Sequence, residues 1–212
     1  MKILAGLISL AAAAGFCVGV ANDIYVLRMA TKPLPVLIMA IWVLIGAKHS
    51  YGRWVGAGLV ACLAGDVLLE LSDETFLAGV GAFLVGHVLY TVAYVGRSKA
   101  WRLWILPPFL LWGFAVVWGL RPGLEAQKML IPVAIYSAAI MVMLWRAAAC
   151  WEKGGASRVT WLAFGGALLF AVSDTFIAVT RFGEPFTGYR YAIILLYWIG
   201  QAAITASALT ND

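Results

Sequence analysis

The chain has 212 residues, 64% of them hydrophobic and 12% charged, and a formal net charge of +5. So much apolar side chain exceeds what a soluble domain of this length can bury, which excludes an ordinary water-soluble fold and assigns the surplus to lipid. A nucleic-acid partner is excluded as well, because the Lys and Arg residues sit singly or in threes between apolar runs and form no continuous basic face.

A helix needs roughly 20 predominantly apolar residues to cross the hydrocarbon of a bilayer. In chain order the runs are 2–21, 33–47, 53–71, 76–95, 103–120, 129–149, 159–180 and 190–209. The first has a basic start at Lys2 and small residues near its end, as a secretory signal does. Its length suits a spanning helix, and it is read as one. The second is short and opens at Lys32-Pro33-Leu34-Pro35; proline fits a first helical turn, where an N–H has no partner to lose. Connections are short, so consecutive helices are expected to be antiparallel neighbours. The fold class expected is an all-α polytopic membrane protein of about eight transmembrane helices, forming one domain over residues 1–212.

Lys and Arg counts set the orientation. One side holds Lys2, Lys48, Arg53, Arg97, Lys99, Arg102, Arg146, Lys153 and Arg158; the other holds Arg28, Lys32, Arg121, Lys128, Arg181 and Arg190. Both termini are therefore expected in the cytoplasm, in a multi-pass protein of the bacterial inner-membrane type. A weak repeat accompanies this topology. Gly65-Asp66 recurs as Ser173-Asp174, and Lys32 with Pro35 recurs as Lys128 with Pro132, which suggests two parallel four-helix halves with a site between them.

Ionisable groups inside a span are costly and mark candidate sites. Asp66 lies five residues from the outer end of its run, about 8 Å deep, and Asp174 six residues from the end of its own, about 9 Å deep. Equal depth on two helices distant in sequence points to one shared site. His87 falls near mid-bilayer, on one helix face with Phe83, Tyr90 and Tyr94, and Tyr197 and Gln201 share a face at similar depth. Lys32 stands at the outer mouth. The plainer readings are an aspartate bonded to a neighbour, a satisfied interhelical histidine, structural roles for Tyr197 and Gln201, and a snorkelling lysine. Glu70 is expected to be solvated near the outer surface, and Gly79 and Gly86 to permit close helix packing. Cys17, Cys62 and Cys150 have neither metal nor disulfide spacing, and neither a His-x-x-x-His nor a Cys-x-x-Cys pair occurs, so no metal and no cofactor are expected. Phosphate-binding glycine loops and a Gly-x-Ser-x-Gly elbow are missing too.

Lys32-Pro33, Gly65-Asp66-Val67-Leu68-Leu69, Gly86-His87-Val88-Leu89-Tyr90, Gly166-Ala167-Leu168-Leu169-Phe170 with Ser173-Asp174, and Tyr197…Gln201 occur in this order. This ordered set resembles the YhhN family, whose animal members are lysoplasmalogenases. The resemblance implies an eight-helix membrane hydrolase that cleaves the vinyl ether of a lysophospholipid substrate carrying choline or ethanolamine, giving a fatty aldehyde and a glycerophospho-base. Vinyl ethers yield to acid through an oxocarbenium ion, so such an enzyme needs one protonated acid and one carboxylate, as glycosidases do. Asp66 and Asp174 are the candidate pair, with either as the acid, and His87 orients a carboxyl or shuttles a proton. Tyr90, Tyr197, Gln201 and Ser173 are candidates to hold water or the glycerol hydroxyl, and Lys32 to meet the lipid phosphate. The rival reading is a proton-coupled carrier, for which intramembrane carboxylates and a parallel repeat are equally suited.

Overall fold

A computed structural model describes residues 2–154 and 157–210. The elements are α1 (Lys2–Ala21), α2 (Tyr25–Thr31), α3 (Leu34–Gly46), α4 (Ser50–Leu71), α5 (Phe76–Arg97), a 3-10 turn (Leu103–Ile105), α6 (Pro107–Gly119), α7 (Arg121–Ala126), α8 (Leu130–Gly154), α9 (Arg158–Phe182) and α10 (Tyr189–Leu209). No strand occurs among the described residues, and the expected all-α polytopic membrane architecture is what forms.

Seven helical stretches among the described residues are long and apolar enough to span. The second is longer than the sequence run suggested, because α2 and α3 make one stretch, Tyr25–Gly46. Arg28 and Lys32 end an apolar count, yet the backbone stays helical past them: the Lys32 N–H donates to the Arg28 carbonyl at 2.9 Å, and Leu37 donates to Pro33 at 2.9 Å. The run 103–120 differs in the other direction. Arg102 has a positive φ of 30°, a 3-10 turn follows, and Pro107 and Pro108 then open α6, which is 13 residues long. Such a helix rises about 20 Å, against about 30 Å of hydrocarbon, so this run gives a shorter helix in place of an eighth full span.

Packing follows a closed cycle in which α3 lies on α4, α4 on α5, α5 on α8, α8 on α9, α9 on α10, and α10 on α3. Outside the cycle, α1 packs on α2 and α3, and α6 packs on α8. Each half thus contributes three inner helices and one outer helix in the same order, as the Gly65-Asp66 and Ser173-Asp174 repeat suggested. Side chains on the outside remain apolar, Ile45, Ile131 and Leu111 among them, and face lipid where a soluble protein would face water.

Glycines set the closest helix contacts. A Cβ on Gly86 would meet Cys62 Sγ at 2.6 Å, which holds α5 against α4 as expected. At Gly166 and Gly200 the α9 and α10 backbones touch, and a Cβ on either would lie 2.7 and 2.9 Å from the other's carbonyl oxygen. On the cytoplasmic side of the predicted orientation, Arg146 is buried. Its guanidinium donates to the Ala100 carbonyl at 2.8 Å and to the Ser98 carbonyl, while Trp145 Nε1 donates to the Arg102 carbonyl at 3.1 Å, so α8 holds the loop that precedes α6. The side chains of Lys2 and Lys153 lie outside the described residues.

Candidate active site

The Gly166–Gly200 contact fixes what lies one and two turns away. One turn along α9 stands Phe170, a further turn gives Asp174, and one turn back along α10 stands Tyr197. Phe170 is fully buried and central. Its ring centroid is 4.6 Å from His87, 5.2 Å from Tyr197, 6.1 Å from Phe83 and 6.4 Å from Tyr90. The edge-to-face and tilted geometries are those aromatic quadrupoles favour.

Both aspartates are buried beside this ring cluster, at 1% exposure for Asp66 and 6% for Asp174. Each accepts a hydrogen bond from a tyrosine: Tyr197 donates to Asp66 Oδ2 at 2.8 Å, and Tyr136 donates to Asp174 Oδ2 at 3.0 Å. His87 Nε2 stands 3.2 Å from that same Asp174 oxygen, within ion-pair range but off hydrogen-bond geometry, and neither ring nitrogen has a hydrogen-bond partner among the described residues. The partners cross the repeat. Asp66 on α4 is held from α10, and Asp174 on α9 is met by His87 from α5. Beneath them Tyr90 donates to Gln201 Oε1 at 2.7 Å, leaving the Gln201 amide nitrogen buried without a partner among the described residues.

Asp66, His87, Asp174, Tyr90, Tyr197 and Gln201 therefore come together as the sequence predicted. Ser173 makes no hydrogen bond to them among the described residues: its hydroxyl donates to the Ile193 carbonyl at 2.9 Å and ties α9 to α10. Glu70 corrects one expectation. It is mostly buried and accepts from Arg28 Nε at 2.9 Å and from Lys32 Nζ at 3.2 Å, while Arg28 Nη1 also reaches Asp23 at 2.7 Å. Partial burial leaves Arg28, Lys32 and Glu70 dependent on one another for charge compensation. Lys32 is thus a paired cation in the wall of a vestibule of about 380 Å³, with Arg28, Glu70, Asp73 and Arg190.

Tyr136 and Phe170 were missed as site residues. Tyr136 lies six residues inside α8, about 9 Å from its N-terminal end, and its hydrogen bond to Asp174 sets the two at one depth. The depth argument that picked out the aspartates applies to it equally, but an uncharged aromatic does not stand out in an apolar run.

Residues 27–208 match the YhhN family. The chain belongs to the YhhN family. It is 34% identical over 186 residues to a human protein named lysoplasmalogenase TMEM86B, covering 85% of this chain and 74% of that one. A Bos taurus protein named lysoplasmalogenase TMEM86A is 34% identical over 190 residues, covering 85% and 77%. The membrane protein YhhN of Escherichia coli O157:H7 is 26% identical over 186 residues, covering 85% and 86%. No solved structure matches. The matched stretch contains every family residue discussed above, from Lys32 to Gln201.

Proposed function

We propose that this protein hydrolyses the vinyl ether bond of lysoplasmalogens, releasing a fatty aldehyde and a glycerophospho-base. The observation that carries the reading is the pair of buried carboxyl groups, each held by a tyrosine, in a chain similar to two proteins named lysoplasmalogenase.

The chemistry follows from the bond. A proton must reach the alkene carbon remote from oxygen, leaving a cation shared by the other alkene carbon and the ether oxygen. Water then adds to that cation with loss of a proton, and the hemiacetal collapses to aldehyde and alcohol. One carboxyl in its acid form serves the first step, and an ionised one serves the second by stabilising the cation and activating water. The ring cluster excludes bulk water and strengthens the electrostatics of whatever charge develops there. His87 stands 3.2 Å from Asp174, and it orients that carboxyl or relays its proton. Lys32 at the vestibule is the cation that meets the phosphate.

The test is aldehyde release from 1-alkenyl lysophosphatidylethanolamine by the purified protein, with an ester lysolipid as control. Asp66→Asn and Asp174→Asn are expected to fold and insert yet lose turnover. Near wild-type rates in both variants would rule out the carboxyl pair. Transport of the lipid unchanged, with no aldehyde, would favour the carrier.

A further inference from the structure

Two cavities of opposite character share Leu69. The vestibule, about 380 Å³, is walled by charged groups. A second cavity lies between α5, α6, α8 and α9. It is a narrow slot of about 50 Å³, and most of its wall is aliphatic or aromatic, with Val80, Val116, Ile140 and Ala178 among its residues. Asp174 and Tyr136 are the polar groups by which the slot reaches the ring cluster. Leu69 lines both cavities and is the partition between them. Asp66 lines neither; it lies one helical turn below Glu70, under the vestibule.

On the hydrolase reading above, we infer that the slot receives the alkenyl chain, so that Asp174 is the acid that protonates the chain and Asp66 is the base that activates water. The slot's mostly aliphatic and aromatic wall suits an unbranched hydrocarbon better than a charged headgroup, for which the vestibule offers five charged side chains. The vestibule offers water and charges of both signs to the headgroup. A lysoplasmalogen lying across Leu69 then has a fixed direction. The alkene carbon remote from oxygen belongs to the chain and faces Asp174. The carbon that bears oxygen is nearer the vestibule, and water reaches it from the side of Asp66.

The proton ledger closes. Asp174 gives its proton to the remote alkene carbon, whose π pair forms the new C–H bond, and both carboxyls are then ionised. Water bonds to the oxygen-bearing carbon as Asp66 takes its proton. In the collapse the hemiacetal hydroxyl returns a proton to Asp174, the C=O forms, the bond to the glycerol oxygen breaks, and that oxygen takes the proton from Asp66. The starting protonation is restored.

The test uses azide, a nucleophile that needs no base. Asp66→Gly and Asp174→Gly are each incubated with 1-alkenyl lysophosphatidylethanolamine and sodium azide, and products are read by mass spectrometry. Asp66→Gly is expected to give the 1-azidoalkyl ether, because its acid is intact and the cation still forms. Asp174→Gly is expected to give none. Adduct from Asp174→Gly alone, or from neither variant, overturns the assignment. A second arm reads the slot: Ala178→Leu is expected to lower kcat/KM for a long alkenyl chain about tenfold more than for a short one. An unchanged ratio overturns the chain's placement. Wild-type protein that releases no aldehyde would refute the hydrolase reading itself, which neither arm does.

Discussion

Tyr136 and Tyr197 each donate to a carboxyl oxygen in a water-poor interior, where a bond to a charged acceptor, which Asp174 becomes once its proton has left, counts for about 1.5–3 kcal/mol. Removing the Tyr136 hydroxyl should therefore lower aldehyde release by Tyr136→Phe about tenfold or more. Because the phenol acts through Asp174, Tyr136→Phe combined with Asp174→Asn should be no slower than Asp174→Asn alone. Losses that multiply would place the role of Tyr136 elsewhere. Much of this cluster was legible in the sequence. Asp66, Asp174 and His87 are conspicuous because charge inside an apolar run is costly. The Ser173 hydrogen bond was not legible, because its partner is the Ile193 carbonyl, a backbone atom on another helix that no local pattern announces.

Elements come together where side chains are smallest. Gly165 and Gly166 are neighbours on α9, yet a Cβ on Gly165 meets nothing within 4 Å, whereas one on Gly166 meets the Gly200 carbonyl oxygen at 2.7 Å. Valine at these two positions should therefore behave oppositely. Gly165→Val should leave the melting temperature in detergent near that of wild type. Gly166→Val must push α10 away and displace Tyr197 from Asp66, with a cost of about 1–3 kcal/mol and loss of turnover. Equal melting of both would mean that the helices adjust without strain. The second and fifth sequence runs show the limit of counting apolar residues. Arg28 and Lys32 broke the count although Glu70 on α4 pairs with both within the fold and Asp23 pairs with Arg28. The run 103–120 passed the count although Pro107 and Pro108 shorten its helix.

For the whole molecule, the excess of Lys and Arg on one side supports cytoplasmic termini. An exposed cysteine on each side tests this in intact cells. Glu74→Cys, in the loop between α4 and α5, is expected to react with a membrane-impermeant maleimide, and Lys99→Cys to react only after lysis. The reverse pattern would mean an inverted protein. The four-helix repeat was visible in the sequence only as two short echoes. Its physical expression, a cycle in which α3–α4–α5 and α8–α9–α10 pack in the same order, depends on contacts between halves that no single segment encodes.

Crossed partnership also has a consequence for synthesis. Asp66 enters the membrane with α4, but Tyr197, which satisfies it, lies 131 residues later on α10. His87 likewise precedes Asp174, and α9 must arrive before the two can meet. During translation the early carboxyl is carried into lipid without its partner, a cost borne by the apolar residues around it. On the proposed mechanism the nascent chain holds no complete reaction centre until α10 is inserted, and a product stalled before that point could not attack the lipids surrounding it.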